Sequence, residues 1–114
     1  MRIEVSGADA ARFEQVEALV DTGATYTVLP RALLHGLGIV PHACAPFVVA
    51  DGREVELEIG RAWIRVDGRQ EFSLVVFGDT ALLGAVTLEE LRLAADPVAK
   101  RLVPVPALLM RLAA

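Results

Sequence analysis

Ala18-Leu19-Val20-Asp21-Thr22-Gly23-Ala24 is an apolar run that stops abruptly in a carboxylate, a hydroxyl and a glycine. Upstream, Val16, Ala18 and Val20 alternate with Gln15 and Glu17, the period of a strand with one covered face. Leu19 makes the end of that strand apolar on both faces, so residues 13–20 are expected to end buried on both sides. A second apolar strand, Tyr26-Thr27-Val28-Leu29, follows almost at once. Asp21 therefore falls between two strands expected to be buried, where an isolated carboxylate is costly. Such a residue needs a partner or a task.

Working outward, residues 1–5 alternate Ile3 and Val5 with polar neighbours, and residues 6–9 have turn composition, so the first two strands are expected to form a hairpin. Pro30 suits the first position of a short helix over residues 31–37, with Gly36 and Gly38 ending it. Residues 39–46 contain Pro41 and Pro46 and read as irregular. From Phe47 the pattern is β: an apolar stretch meets Asp51-Gly52, a hairpin turn signal, and the return strand alternates Glu54, Glu56 and Glu58 with Val55, Leu57 and Ile59. The apolar phase then shifts to Ala62, Ile64 and Val66, which predicts a β-bulge at Gly60. Asp67-Gly68 is a second hairpin turn before a strand over residues 70–77.

After the loop at Gly78-Asp79-Thr80, the run Ala81-Leu82-Leu83-Gly84 repeats the opening theme of an apolar strand stopped by glycine. Thr87 and Glu90 have capping-box spacing and predict a helix over residues 88–94, stopped by Asp96-Pro97. Residues 101–106 carry two prolines and suit an edge strand. The tail, residues 107–114, is apolar, with Leu108, Leu109 and Leu112 on one face if helical. No linker interrupts the chain, so residues 1–114 are expected to form one domain of two similar halves.

Composition narrows the function. The chain has 114 residues, 54% of them apolar, which suits a modest globular core. A net charge of −4 with scattered basic residues, ten Arg and one Lys, lacks the basic face of a nucleic-acid binder. Cys44 is the only cysteine, which excludes an internal disulfide and fits a reducing compartment. The N-terminus lacks the apolar core of a signal peptide, and no segment approaches the roughly 20 apolar residues of a membrane span, so a soluble cytoplasmic protein is expected. His35 and His42 have no metal-ligand spacing to an acid or thiol, and no metal or other cofactor is expected.

Asp21-Thr22-Gly23 between apolar strands, the Asp51-Gly52 hairpin and Leu82-Leu83-Gly84 before a helix together resemble the retroviral-type aspartic peptidases, above all their small prokaryotic relatives. The resemblance runs from about Phe13 to Val105. It implies an all-β, mainly antiparallel, closed acid-protease barrel with two short helices, acting as a homodimer. Asp21 would meet the same residue of a second copy, and the two carboxylates would share one proton and activate a water against an extended peptide or unfolded protein. Thr22 would lock the two loops together, and Gly23 would let the backbone pass beneath the carboxylates. The hairpin near residues 47–58 would be a flap, and Ala24, Tyr26, Ala50, Asp51, Gly52, Ala81 and Leu82 would line the substrate site. Neither nucleic acid nor membrane is an implied partner.

Two positions depart from the retroviral pattern. Thr25 stands where those enzymes usually carry an acid, and Ala85 where they carry its Arg partner, so one ion pair is absent as a unit. The alternative is a catalytically silent module of the same fold that dimerises or holds peptides without cutting them. Residues 1–5 and 101–105 are the strands expected to interleave between protomers. Trp63 reads as packing, and Asp79 as a loop acid that either touches substrate or serves the turn.

Overall fold

The computed structural model describes residues 1–98 and 101–106. The expected tail helix lies outside the described residues. β1 (Arg2–Ser6) and β2 (Phe13–Glu17) form the first hairpin, in register from Arg2 opposite Glu17 to Ser6 opposite Phe13. The pairing runs one step further, to Ala18, whose N–H donates to the Met1 carbonyl at 2.8 Å and whose carbonyl accepts from the Met1 ammonium at 3.1 Å, and the chain breaks away after it. That break ends the long strand expected over residues 13–20 and frees β3 (Leu19–Val20) to take another partner. After it come β4 (Thr27–Pro30), α1 (Arg31–Gly36), β5 (Ala43–Val48), β6 (Glu54–Val66), β7 (Arg69–Gly78), β8 (Leu82–Leu83), α2 (Ala85–Glu90), β9 (Leu93–Asp96) and β10 (Arg101–Pro104).

Eight strands make one sheet in the order β2-β1-β6-β7-β4-β8-β3, with β5 on the first half of β6; β9 and β10 pair separately. The path is open and does not close into the expected barrel. Most ladders are antiparallel, but β4 runs parallel to β7 and β3 parallel to β8. The core gathers Ile3, Val5, Leu29, Ile64, Val75 and Phe77 from the sheet with Leu34, Leu88 and Leu91 from the helices and the residue that follows α2.

β6 is the axis of the fold and corrects one expectation. Its register is unbroken on β5 from Glu54 to Ile59 and on β7 from Ile59 to Val66, so no residue is inserted at Gly60. Val55, Leu57 and Ile59 simply occupy the face opposite Ala62, Ile64 and Val66, and what changes along the strand is which face is covered. Gly60 is required by proximity: a Cβ there would lie 3.0 Å from the buried Phe77 ring. β5 is a second correction. Pro46, read as a breaker, sits on a strand that pairs only with β6, an edge where a missing N–H is tolerated.

The helices end by different means. Pro30 is the N-cap of α1 rather than its first residue. Gly38, at φ +75°, closes the helix with N–H bonds from Gly38 to the His35 carbonyl and from Ile39 to the Leu34 carbonyl, a Schellman arrangement with Ile39 packed beside Leu34. Gly36 is the last residue of the helix, as expected. α2 starts three residues earlier than expected, with Gly84 as N-cap and no side-chain cap. Thr87 is buried inside the helix and its hydroxyl is engaged elsewhere, so the capping box does not form. Arg92, at φ +56°, ends the turn after α2 and directs residues expected to be helical into β9.

No helix among the described residues is long and apolar enough to cross a membrane.

Candidate active site

β8 threads between the two strands that flank Asp21. It pairs in parallel with β3 (Leu19 with Leu82, Val20 with Leu83) and antiparallel with β4 (Val28 with Leu82). The repeat seen in the sequence is thus a physical contact: each apolar strand that ends in glycine lies against the other. The Leu19 N–H donates to the Ala81 carbonyl and the Asp21 N–H to the Leu83 carbonyl, both at 3.0 Å.

Residues 21–26 then fold as a tight loop. The Gly23 N–H donates to Asp21 Oδ1 at 2.9 Å, and the Ala24 N–H to the Asp21 carbonyl at 3.1 Å. A side chain at Gly23 would bring its Cβ to 3.1 Å from that same Oδ1, so glycine keeps the backbone against the carboxylate without crowding it. The loop is tied to the start of α2 by main-chain bonds, Ala85 N–H to the Ala24 carbonyl at 2.8 Å and Val86 N–H to the Thr25 carbonyl at 2.9 Å. Where an acid and an Arg are absent at Thr25 and Ala85, backbone groups of these same residues and their neighbours make the link.

Asp21 is half-buried, while Thr22 and Gly23 are exposed. Leu19, expected to be covered on both faces, is 67% exposed beside them. Ala24 and Tyr26 are half-buried, as are Ala81 and Leu82, whose backbone is committed to the β3–β8–β4 ladders. Asp21, Thr22, Gly23, Ala24, Tyr26, Ala81 and Leu82 are therefore brought together by adjacent strands.

Ala50, Asp51 and Gly52 form the exposed tip of the β5–β6 hairpin. The turn has three residues between Val49 and Arg53, with Val49 N–H to the Arg53 carbonyl at 2.9 Å and Gly52 at φ +87°, in place of a two-residue turn. Below the tip, Phe47 meets the Tyr26 ring edge-on at a centroid distance of 6.1 Å, and this contact joins hairpin to loop. Phe47 is a residue the sequence reading did not single out for the site.

The tip is held by its own charges. Asp51 Oδ1 accepts the Arg53 N–H at 3.0 Å, and Oδ2 accepts Arg53 Nε at 2.7 Å. The backbone bond first, and then the guanidinium, hold the Asp51 carboxyl below its ordinary value of 3.8. A group with a lowered folded-state pKa contributes above its unfolded value and loses that contribution as pH falls through the folded one, so what Asp51 adds to the tip is present at neutral pH and is lost in acid. A carboxyl carbon titration by NMR is expected to place the Asp51 midpoint below 3.8, and Arg53→Ala to return it only part of the way, because the backbone donor stays. A midpoint unmoved by Arg53→Ala would mean that the side-chain pair does not persist in water.

Trp63 packs, as expected: its ring lies 5.3 Å from that of Phe72 and its Nε1–H donates to the Ala8 carbonyl at 3.1 Å. Asp79, Cys44 and His42 are exposed, and His35 lies against Phe77 at the end of α1.

With this arrangement in view, the comparisons with known proteins are specific. A profile of the aspartyl protease family matches residues 2–87. The fold is similar to the solution structure of simian foamy virus (mac) protease, at 22% identity and TM-score 0.53, covering 77% of this chain and 91% of that one. It is similar also to EIAV protease complexed with the inhibitor HBY-793, at 23% identity and TM-score 0.55, covering 80% and 85%. A foamy viral protease-reverse transcriptase in complex with an RNA/DNA hybrid matches at 18% identity and TM-score 0.56, over 77% of this chain and 11% of that one. No curated protein matches the chain. The chain belongs to the aspartyl protease family, and its class is that of an aspartic-type endopeptidase of retropepsin-like fold.

Proposed function

We propose that this chain is one half of a homodimeric aspartic endopeptidase in which Asp21 and the same residue of a second copy form the catalytic pair. The observation that carries this reading is the setting of Asp21: a half-buried carboxylate at the end of β3, in a loop fixed by main-chain bonds on both sides, with Gly23 N–H on one oxygen. These 114 residues hold one Asp-Thr-Gly, and in this reading the second equivalent carboxylate comes from another copy. The exposed Leu19, two residues before Asp21, supports the same conclusion, because it borders a groove of about 420 Å³ shared with Met1 and Leu102.

Two carboxylates about 3 Å apart cannot both ionise, so the pair shares a proton. The ionised member takes a proton from a water held between them while the water oxygen bonds to the scissile carbonyl carbon. The protonated member gives its proton to the carbonyl oxygen as that oxygen gains charge. Collapse of the tetrahedral diol then breaks the C–N bond: the amine leaves with the proton that the first carboxyl took from water, and the second carboxylate takes a proton back from a diol hydroxyl, so the pair again holds one proton. Thr22, exposed beside Asp21, faces the other copy, and Ala24, Tyr26, Ala81 and Leu82 flank the peptide. The β5–β6 hairpin is the flap, with Ala50, Asp51 and Gly52 over the substrate and the Phe47–Tyr26 contact as its point of attachment.

β1 is engaged within its own chain, by β2 along its length and by β6 from Glu4 to Ser6, and β10 has β9 as its neighbour. Interleaved termini are therefore replaced, in this reading, by a contact made with the Leu19 face and the β9–β10 hairpin. A statine-type inhibitor is expected to bind at one molecule per two chains in calorimetric titration. One molecule per chain would contradict a shared site.

A further inference from the structure

The buried polar residues among the described ones include Thr27, Ser73 and Thr87, from β4, β7 and α2, and these three meet. Thr27 Oγ1 lies 2.6 Å from Thr87 Oγ1, which lies 2.9 Å from Ser73 Oγ. Ser73 Oγ donates to Glu90 Oε1 at 2.6 Å, and the Gly84 N–H donates to Thr27 Oγ1 at 3.0 Å. A hydroxyl has one proton and a carboxylate only accepts, so the direction of every bond follows from the Glu90 end. Ser73 gives its proton to Glu90 and must accept from Thr87. Thr87 has then spent its proton and must accept from Thr27, which accepts from Gly84.

The chain continues through a peptide bond. The Gly84 N–H and the Leu83 carbonyl belong to one planar unit, and that carbonyl accepts the Asp21 N–H at 3.0 Å. One run of hydrogen bonds, all pointing the same way, thus connects the backbone of Asp21 to the carboxylate of Glu90. Bonds aligned in this manner polarise one another, and a charge at the accepting end strengthens each donor–acceptor pair behind it.

We infer that Glu90 is a positioning residue that holds the Asp21 loop through Ser73, Thr87, Thr27 and the Leu83–Gly84 peptide. The inference rests on Asp21 being the catalytic carboxylate only for its effect on rate; the hold on the backbone stands apart from it. The Thr87-x-x-Glu90 spacing that resembles a capping box is explained by this relay, with both side chains turned to tertiary partners.

The test compares wild type with Glu90→Ala, which removes the final acceptor, and Glu90→Gln, which keeps one. Amide exchange at Asp21 and Gly84 is expected to quicken about tenfold in Glu90→Ala, the worth of one good hydrogen bond, while amides of β1 and β6 exchange as before. On a peptide substrate kcat is expected to fall by roughly five- to tenfold with KM within about twofold. Glu90→Gln is expected to restore both. In a Thr87→Val background, where the relay is already cut, Glu90→Ala is expected to add nothing, and in Thr87→Ser its effect returns. Unchanged exchange at Asp21 in Glu90→Ala, or an effect of equal size with Val at position 87, overturns the inference. If the wild-type protein cleaves no peptide, the exchange data still decide the relay, and the failure belongs to the reading of Asp21.

Discussion

Asp21→Asn is expected to lower peptide hydrolysis by roughly 10³-fold or more, the scale of a lost acid–base pair, while leaving the fold intact. Asparagine keeps an oxygen able to accept the Gly23 N–H, and the main-chain bonds that shape the loop do not involve the side chain. Thermal unfolding should therefore shift by no more than a few degrees, because the residue is only half-buried and fills no core position. Residual hydrolysis within about tenfold of wild type, in protein free of contaminating peptidase, would remove Asp21 from the chemistry. A collapse of Tm with the activity would instead make it a structural residue.

Gly84→Ala is expected to have the largest effect on stability of any single methyl added at a described glycine. Its Cβ would stand 2.5 Å from both the carbonyl carbon and oxygen of Tyr26 and 2.9 Å from the Thr27 nitrogen, all backbone atoms that no side-chain rotation can move. Forcing that gap open costs about 3 kcal/mol, or a Tm lower by roughly 10–15 °C in a domain of this size. The displaced segment carries Asp21 at its head, so activity is expected to fall with stability. Gly36→Ala is the control: nothing lies within 4 Å of its Cβ and it is the last residue of a helix, so a change of no more than about 0.5 kcal/mol, in the stabilising direction, is expected. Equal thermal shifts in the two variants would show that close packing at Gly84 is not what holds the loop.

The parts of the molecule legible in the sequence are those whose signals are local. An apolar run that ends in Asp-Thr-Gly marks the loop, Asp-Gly marks both hairpin tips, and the recurrence of apolar residues before Gly23 and Gly84 marks strands that do lie together. The readings that failed did so where tertiary partners outweighed local chemistry. Pro46 reads as a break, yet β5 has one free edge on which a missing N–H costs nothing. Gly60 reads as a bulge because apolarity changes phase there, but the strand is continuous and the covered side changes instead. Leu19 reads as buried and faces out, because β3 has β8 on one edge and its second face uncovered within the chain.

The hydroxyl relay was the least legible. Thr27, Ser73 and Thr87 are far apart in sequence, and each alone is an ordinary small polar residue in an apolar segment. Only the fold shows that they meet. The one trace was the pair Thr87 and Glu90, whose spacing carried a local meaning that their buried and half-buried positions override.

The most direct test of a site shared between two copies is subunit mixing. Wild-type chains and an equal amount of Asp21→Asn chains are allowed to exchange fully, and activity is measured per wild-type chain at constant total protein. If each site needs one Asp21 from each of two copies, only the wild-type pairs work, about a quarter of all dimers, so activity per wild-type chain falls to about half that of the unmixed enzyme. Activity per wild-type chain that stays unchanged on mixing would mean that one chain forms a complete site by itself, and would contradict the account.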